Sequence, residues 1–432
     1  MIKYLIKFLM WLKKFFKTEL FTALSTTSLT TGIQMVTGLA INKIVAVTIG
    51  PSGIALVGQF DSFKTLITNF ASGSFGNGLT KYVADPDYST RKVISTSNIF
   101  SGAVSVVLGL LTILFAKQLS EYLLKDSEYF PVFIVFGFLL PLFSLNKLLL
   151  STINGFRKFK LLAYLKITNS VVGLILSIAL VLSFNLTGAL FAHAINTSIV
   201  FLVSLFILYY FFSIGQLLSF NVKQFDKKLL LKLLAFTLMA LTSAQLKPLV
   251  KLFIRSYIIE NASQTDAGIW QGMMHLSTKY LAVITSALGV YYLPKLSSLK
   301  TKIELRREIF RGIKVIMPAF SVMAIVIFLI KEWVVIILYS HDFLEMTSLF
   351  FPKLIADFFL IFSFLIAYLM LAKAMVKLFM ISQIIFAGIR VGLSVILFDQ
   401  LGIIGVIWGD AIRYFLYSIF LVIAFRKTLL TK

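Results

Sequence analysis

Residues 188–214 read GALFAHAINTSIVFLVSLFILYYFFSI, a run without a single Asp, Glu, Lys or Arg. A helix needs about 20 apolar residues to cross roughly 30 Å of hydrocarbon, so this run can span a bilayer. Eleven further runs have the same character: about 21–48, 54–80, 93–116, 130–151, 161–183, 233–258, 267–293, 309–330, 347–371, 378–398 and 402–425. Period-2 alternation is absent from them, which excludes a transmembrane barrel. The expected fold is an all-α polytopic membrane protein with twelve transmembrane helices. Composition agrees with that. Of 432 residues, 59% are hydrophobic and 14% charged, with 43 Phe and a mean hydropathy of +0.94. Soluble domains hold about 45–50% apolar and about 25% charged residues, so a soluble enzyme and a disordered chain are both excluded.

The cations are placed asymmetrically. Alternate connections (1–17, 81–92, 157–166, 223–232, 295–314, 373–377 and 426–432) hold 28 Lys and Arg, whereas those between them hold only Lys117, Lys125 and Lys331. Positive residues mark the cytoplasmic side, so both termini are expected in the cytoplasm. In a soluble chain a net charge of +23 would suggest nucleic acid; here it is topology, and no nucleic-acid partner is expected. Lys3, Lys7, Lys14 and Lys17 share one helical face, so residues 1–20 read as a basic amphipathic segment lying on the anionic leaflet.

The run at 188–214 also has a counterpart further along. An offset of 217 aligns Gly188 with Gly405 and Ala194-Ile195 with Ala411-Ile412. An offset of 215 takes Phe21-Thr22 to Phe236-Thr237, Gly53-Ile54 to Gly268-Ile269 and Lys64 to Lys279. Two pseudo-symmetric six-helix bundles are therefore expected, over 21–214 and 233–425, joined by a cytoplasmic linker at 215–232 and followed by a basic tail at 426–432. Parallel repeats around a midplane site are a recurring transporter plan.

Ten cations fall within the spans: Lys43, Lys64, Lys147, Lys247, Lys251, Arg255, Lys279, Lys353, Arg390 and Arg413. Only three acids join them, Asp61, Asp357 and Asp410. An ionised group at the bilayer centre costs at least about 2.5–3.5 kcal/mol and faces a bundle interior or an aqueous cavity. Lys43, Arg255 and Lys353 near the outer ends, and Lys147 near the inner end, have the reach to snorkel. Lys64 and Lys279 each lie eleven residues past an equivalent Gly, about 16 Å deep. Lys247, Lys251 and Arg255 recur at i, i+4 and i+8, hence on one face. This surplus fits a cavity that receives an anion such as pyrophosphate or acidic sugars. Lys64, Lys279, Lys247 and Lys251 are the first candidates to bind it, with Arg255 on the same stripe and Arg390 and Arg413 as second choices. Asp61 with Lys64, Lys353 with Asp357 and Asp410 with Arg413 have the spacing of intrahelical ion pairs. The alternative for each acid is a carboxylate that carries a coupling proton.

Other chemistry is poorly represented. The chain has no Cys, three scattered His and no phosphate-binding Gly-rich loop ending in Lys-Ser/Thr, so neither a metal, a cofactor nor ATP hydrolysis is expected. Asp85-Pro86-Asp87 reads as a solvated turn, and Asn185-Leu186-Thr187, Asn196-Thr197-Ser198 and Asn261-Ala262-Ser263 match glycosylation sequons, a weak signal.

Several stretches resemble one family. Gly50-Pro51-Ser52-Gly53-Ile54, the run Gly76-Asn77-Gly78-Leu79-Thr80-Lys81-Tyr82-Val83, and Phe236-Thr237-Leu238-Met239-Ala240 are similar to Wzx-type flippases. So are Ala267-Gly268-Ile269-Trp270-Gln271-Gly272 and Tyr292-Leu293-Pro294-Lys295-Leu296-Ser297. In particular they look like the enterobacterial lipid III and O-antigen flippases of the multidrug/oligosaccharidyl-lipid/polysaccharide exporter superfamily. The resemblance implies a two-bundle transporter of the bacterial inner membrane. It would move undecaprenyl-pyrophosphate-linked oligosaccharide by alternating access for surface polysaccharide biosynthesis. A polysaccharide polymerase and a chain-length regulator would be further partners. It assigns no individual residue, so the embedded charges remain the candidates. A multidrug antiporter of the same superfamily would carry excess acid instead of excess base. A membrane polymerase or ligase would keep a large outer loop.

Overall fold

The computed structural model describes residues 19–72, 76–211, 217–373 and 375–429. Residues 1–18 of the amphipathic segment and 430–432 of the tail lie outside the described residues. Regular structure among those described is helical. The first half comprises α1 (Glu19–Ala71), α2 (Gly76–Ala84), α3 (Thr90–Leu114), α4 (Ala116–Leu124), α5 (Phe130–Gly155) and α6 (Phe159–Phe211). The second comprises α7 (Lys227–Asn261), α8 (Gln264–Ala287), α9 (Leu293–Ser298), α10 (Lys302–Leu329), α11 (Lys331–Leu338), α12 (Phe350–Ala372), α13 (Val376–Leu401), α14 (Ile403–Ala424) and the single turn α15 (Arg426–Leu429). Eight of the described helices, counting α1 and α6 once each, are long and apolar enough to cross a membrane.

Two of the long helices are broken, one of them at a position with a structural counterpart in the second half. In α6 the chain turns at Asn185 (φ 49°, ψ −126°), while α13 and α14 are separated by Gly402 (φ 62°, ψ −145°). These positions are 217 residues apart, the offset that aligns Gly188 with Gly405. Each of those glycines packs against a carbonyl eight residues before it, of Leu180 and Leu397 respectively. The other break in a long helix is at Gly50 (φ 66°), followed by Pro51, which has no N–H to continue the ladder.

The chain divides into two compact units. The first comprises residues up to Ile41 and Ile67–Leu241; the second comprises Asn42–Leu66 and Thr242–Lys432. Residues 42–66, placed by sequence in the first bundle, group with the second unit. Polar bonds account for this. Lys43 donates to the carbonyls of Ile336 (2.8 Å) and Tyr339 at the end of α11, and Gln245 donates to the Leu66 carbonyl at 3.0 Å. The backbone also approaches closely: a Cβ on Gly268 would overlap the Pro51 carbonyl. A backbone oxygen cannot rotate away, so Gly268→Ala should destabilise the protein by about 1–3 kcal/mol. Thermal unfolding in detergent checks this, and an unchanged midpoint would show that the turn at Gly50 yields freely.

Within the first unit, Leu79, Tyr82 and Val83 of α2 form a core with Val93, Ile94, Leu148, Leu229 and Leu233. Gly109 of α3 and Gly137 of α5 face each other so closely that a Cβ on either would strike the other's carbonyl, the close crossing that small residues permit in membranes. The described part of the linker, 217–232, is docked. Ser95 donates to Ser219 (2.7 Å), Asn98 donates to the Ser219 carbonyl (3.2 Å), and the Asp226 N–H donates to Thr96 (3.1 Å). The Asp226 carboxylate accepts from the N–H groups of Lys228 (2.9 Å) and Leu229 (3.1 Å), capping α7. The Leu229 amide, followed by that of Lys228, holds the Asp226 carboxyl below the usual carboxylate range. A depressed folded-state pKa stabilises above the ordinary range, and that contribution is lost as pH falls through it. Asp226→Ala should therefore lower the melting midpoint modestly at pH 7, with the gap from wild type closing on acidification.

Candidate functional site

The seven candidate binding cations and the three acids all lie in the second unit. Each embedded acid is taken by a cation. Lys64 Nζ lies 2.8 Å from Asp61 Oδ1, and Lys353 Nζ lies 2.6 Å from Asp357 Oδ1. These two are the intrahelical pairs that the spacing suggested. The third is not. Asp410 is bound by Arg390 of α13, with Nε–Oδ1 at 2.6 Å and Nη2–Oδ2 at 3.0 Å, while Arg413 stacks on the Tyr414 ring at 4.1 Å. Sequence spacing sees only one helix, and the α13–α14 turn at Gly402 brings in the better donor, whose planar fork matches a carboxylate. The offset of 217 puts Gly173 where the second half has Arg390, and Gly173 faces Asn196, the equivalent of Arg413.

Two side chains expected to snorkel do not. Lys353 is 4% exposed and Arg255 is 0% exposed. Lys353 stays inside because Asp357 neutralises it, and Asp357 also accepts from Ser277 (2.7 Å) and Tyr280 of α8. Arg255 is held by uncharged groups. Its guanidinium donates to Gln59 (2.9 Å), Ser62 (3.2 Å) and Gln271 (2.6 Å), and lies 5.8 Å from the centre of the Trp270 ring. Gln59 donates in turn to Ser256 at 2.5 Å, and Gln271 shares a hydrogen bond with His275 at 2.5 Å. Lys147 reaches Asn69 at 2.9 Å within the first unit.

What remains is a surplus. Lys247, Lys251 and Lys279 have no carboxylate within ion-pair distance among the described residues. Lys247 is exposed and Lys251 half-buried on α7; Lys279 is half-buried on α8. Lys279 lacks the acid its equivalent Lys64 has, because Leu276 stands where Asp61 does. Lys251 lies within electrostatic range of Arg390, Arg255, Asp61 and Lys247. His275 lies within range of Lys251, Asp61, Arg255 and Lys279. The stripe on α7, the turn carrying Asp61 and the part of α8 around His275 and Lys279 thus form one positive region, with Asp61 within range of both Lys251 and His275. Sequence reasoning missed Gln59, Ser62, Gln271 and His275, which orient the region without charge. Their signal was the presence of uncharged polar residues in apolar runs. Such positions can attract an anion because the embedded cations are not self-neutralised. A concavity of ≈470 Å3 lies elsewhere in the unit, lined by Asp266, Glu345, Phe398 and Gly402 among others.

Residues 61–348 match the family described as "Polysaccharide biosynthesis protein". The chain belongs to that family. Its relatives include the lipid III flippases of Escherichia coli strain K12 and of Shigella flexneri. To each the chain is 29% identical over 375 residues, which cover 85% of this chain and 88% of the relative. Among solved structures, the inward-facing conformation of a multidrug resistance MATE family transporter of the MOP superfamily is similar. Its TM-score is 0.78 at 16% identity, covering 91% of this chain and 95% of that one. The lipid II flippase MurJ in an inward closed conformation gives a TM-score of 0.71 at 14% identity, covering 94% and 87%. At those identities the likeness speaks for the fold: this family member is a multi-pass membrane protein built as those transporters are.

Proposed function

We propose that this chain is a flippase that moves undecaprenyl-pyrophosphate-linked oligosaccharide, such as lipid III or an O-antigen unit, from the cytoplasmic to the periplasmic leaflet of the inner membrane. The observation that carries this is the unneutralised cation surplus on α7 and α8, in a chain related along most of its length to lipid III flippases. Twelve spans with both termini in the cytoplasm form two bundles, and transport proceeds by alternating access. In this scheme Lys247, Lys251 and Lys279 hold the phosphates or acidic sugars. Lys64 reaches them once Asp61 yields it, and Arg255 anchors the turn of α1 from behind. Arg390 and Arg413 add to the positive potential. The polyprenyl tail stays in lipid throughout.

Coupling to an ion gradient falls to Asp61. Its side chain is 43% exposed, whereas Asp357 is 0% and Asp410 2% exposed, each closed inside its own pair. Asp61→Asn should then make transport indifferent to a proton gradient, measured as the ratio of rates with and without one. A drug antiporter has the same fold, but a site with surplus base repels cationic drugs.

The test is transfer of a polyprenyl-pyrophosphate oligosaccharide in sealed proteoliposomes, with headgroup access read by an impermeant probe. Fast protein-dependent transfer is expected. No transfer across several glycans would sink the flippase reading, and conversion of the glycan by protein in detergent, where no barrier exists, would replace it with an enzyme.

A further inference from the structure

The outer face of α10 carries a second basic feature that transport does not use. Ile303, Arg307, Phe310 and Lys314 recur at i, i+4, i+7 and i+11, so they share one helical face. Together with Arg306 they line a concavity of ≈290 Å3. The Arg306 guanidinium lies 5.7 Å from the centre of the Phe310 ring. The nearby acids are turned away from it. Glu308 is buried on the opposite face, where Tyr291 donates to it at 3.5 Å and Arg311 lies at 4.0 Å. Glu304 closes the capping box of α10, accepting from the Thr301 N–H at 3.2 Å.

Beyond Lys314 the exposed face becomes wholly apolar, through Val315, Val322, Ile325, Val326 and Leu329. That stripe runs about 22 Å along the helix, enough to accompany an acyl chain through one leaflet. A soluble partner would meet the cations but leave the stripe uncovered. A lipid matches both. We propose that this face of α10 is a binding site for an anionic phospholipid, whose phosphodiester sits between Arg306, Arg307 and Lys314 while its acyl chain follows the apolar stripe. Two adjacent guanidinium forks beside an ammonium suit a phosphate, and basic pockets at helix ends are known to take anionic headgroups. Ile303 and Phe310 bracket the cations at the level of the headgroups.

Native mass spectrometry of the full chain in detergent tests this, with dioleoyl phosphatidylglycerol titrated against dioleoyl phosphatidylcholine. Wild type should retain phosphatidylglycerol in preference, and Arg306→Gln/Arg307→Gln/Lys314→Gln should weaken that binding roughly tenfold or more. The control, Lys158→Gln/Lys160→Gln/Lys166→Gln, removes as many cations from another basic connection and should leave it unchanged. Equal loss in the control would overturn the site in favour of general charge, as would full retention in the α10 variant. If the triple variant does not fold, Arg306→Lys/Arg307→Lys keeps the charge and should still lose part of the preference; no change would also overturn it. Displacement of the lipid by equimolar geranylgeranyl pyrophosphate would assign the face to a polyprenyl pyrophosphate instead.

Discussion

Lys251→Glu is expected to cut headgroup transfer by at least about a hundredfold while the protein still folds. Lys251 is half-buried and has no carboxylate within ion-pair distance among the described residues, yet lies in range of Arg255, Arg390 and Lys247. A glutamate there finds cations on several sides, so the folded state accommodates it. The phosphates do not. At an effective dielectric constant near 20, a unit charge about 5 Å away contributes roughly 3 kcal/mol, and the substitution changes the charge by two units. Even half of that two-unit contribution in the transition state, about 3 kcal/mol, slows transfer about a hundredfold. Lys251→Gln should fall between the two. The proteoliposome assay gives the rates, and detergent melting confirms folding. Wild-type transfer by Lys251→Glu would remove α7 from the substrate path.

The largest stability effect belongs to Asp357→Ala. This carboxylate is 0% exposed and faces an ammonium that is 4% exposed, with Ser277 and Tyr280 donating to it as well. Removing it leaves Lys353 charged and buried without a counter-ion, which costs about 3–5 kcal/mol. Lys353→Met/Asp357→Leu removes both charges and should recover more than half of that loss, since a buried pair is worth little more than an apolar replacement of similar volume. A double-mutant cycle from detergent melting would measure the coupling. If Asp357→Ala alone melts as wild type does, the network does not hold α8 to α12. Transport provides the complementary check: a double variant that folds and still flips glycan would confine Asp357 to a structural role.

The parts of this protein legible in the sequence were those governed by composition and period. Apolar length identified an all-helical membrane protein, because hydrocarbon leaves the backbone no partner but itself. Asn185 and Gly402, 217 residues apart, both take a positive φ, and each precedes by three residues a glycine packed on a carbonyl. Helical spacing also identified Asp61–Lys64 and Lys353–Asp357, whose partners lie one turn apart.

Spacing failed wherever the partner came from another helix. Asp410 chose Arg390 over Arg413, residues 42–66 joined the second unit, and Arg255 was drawn inward by three amide and hydroxyl groups instead of reaching for the interface. In each case the deciding contact joins residues distant along the chain, and its strength depends on orientation and the exclusion of water. The sequence alone determined that this chain is an all-helical membrane protein with more base than acid in its apolar runs. Which of those bases are paired with a carboxylate was decided only by the tertiary structure, since a buried charge is settled by what packs against it.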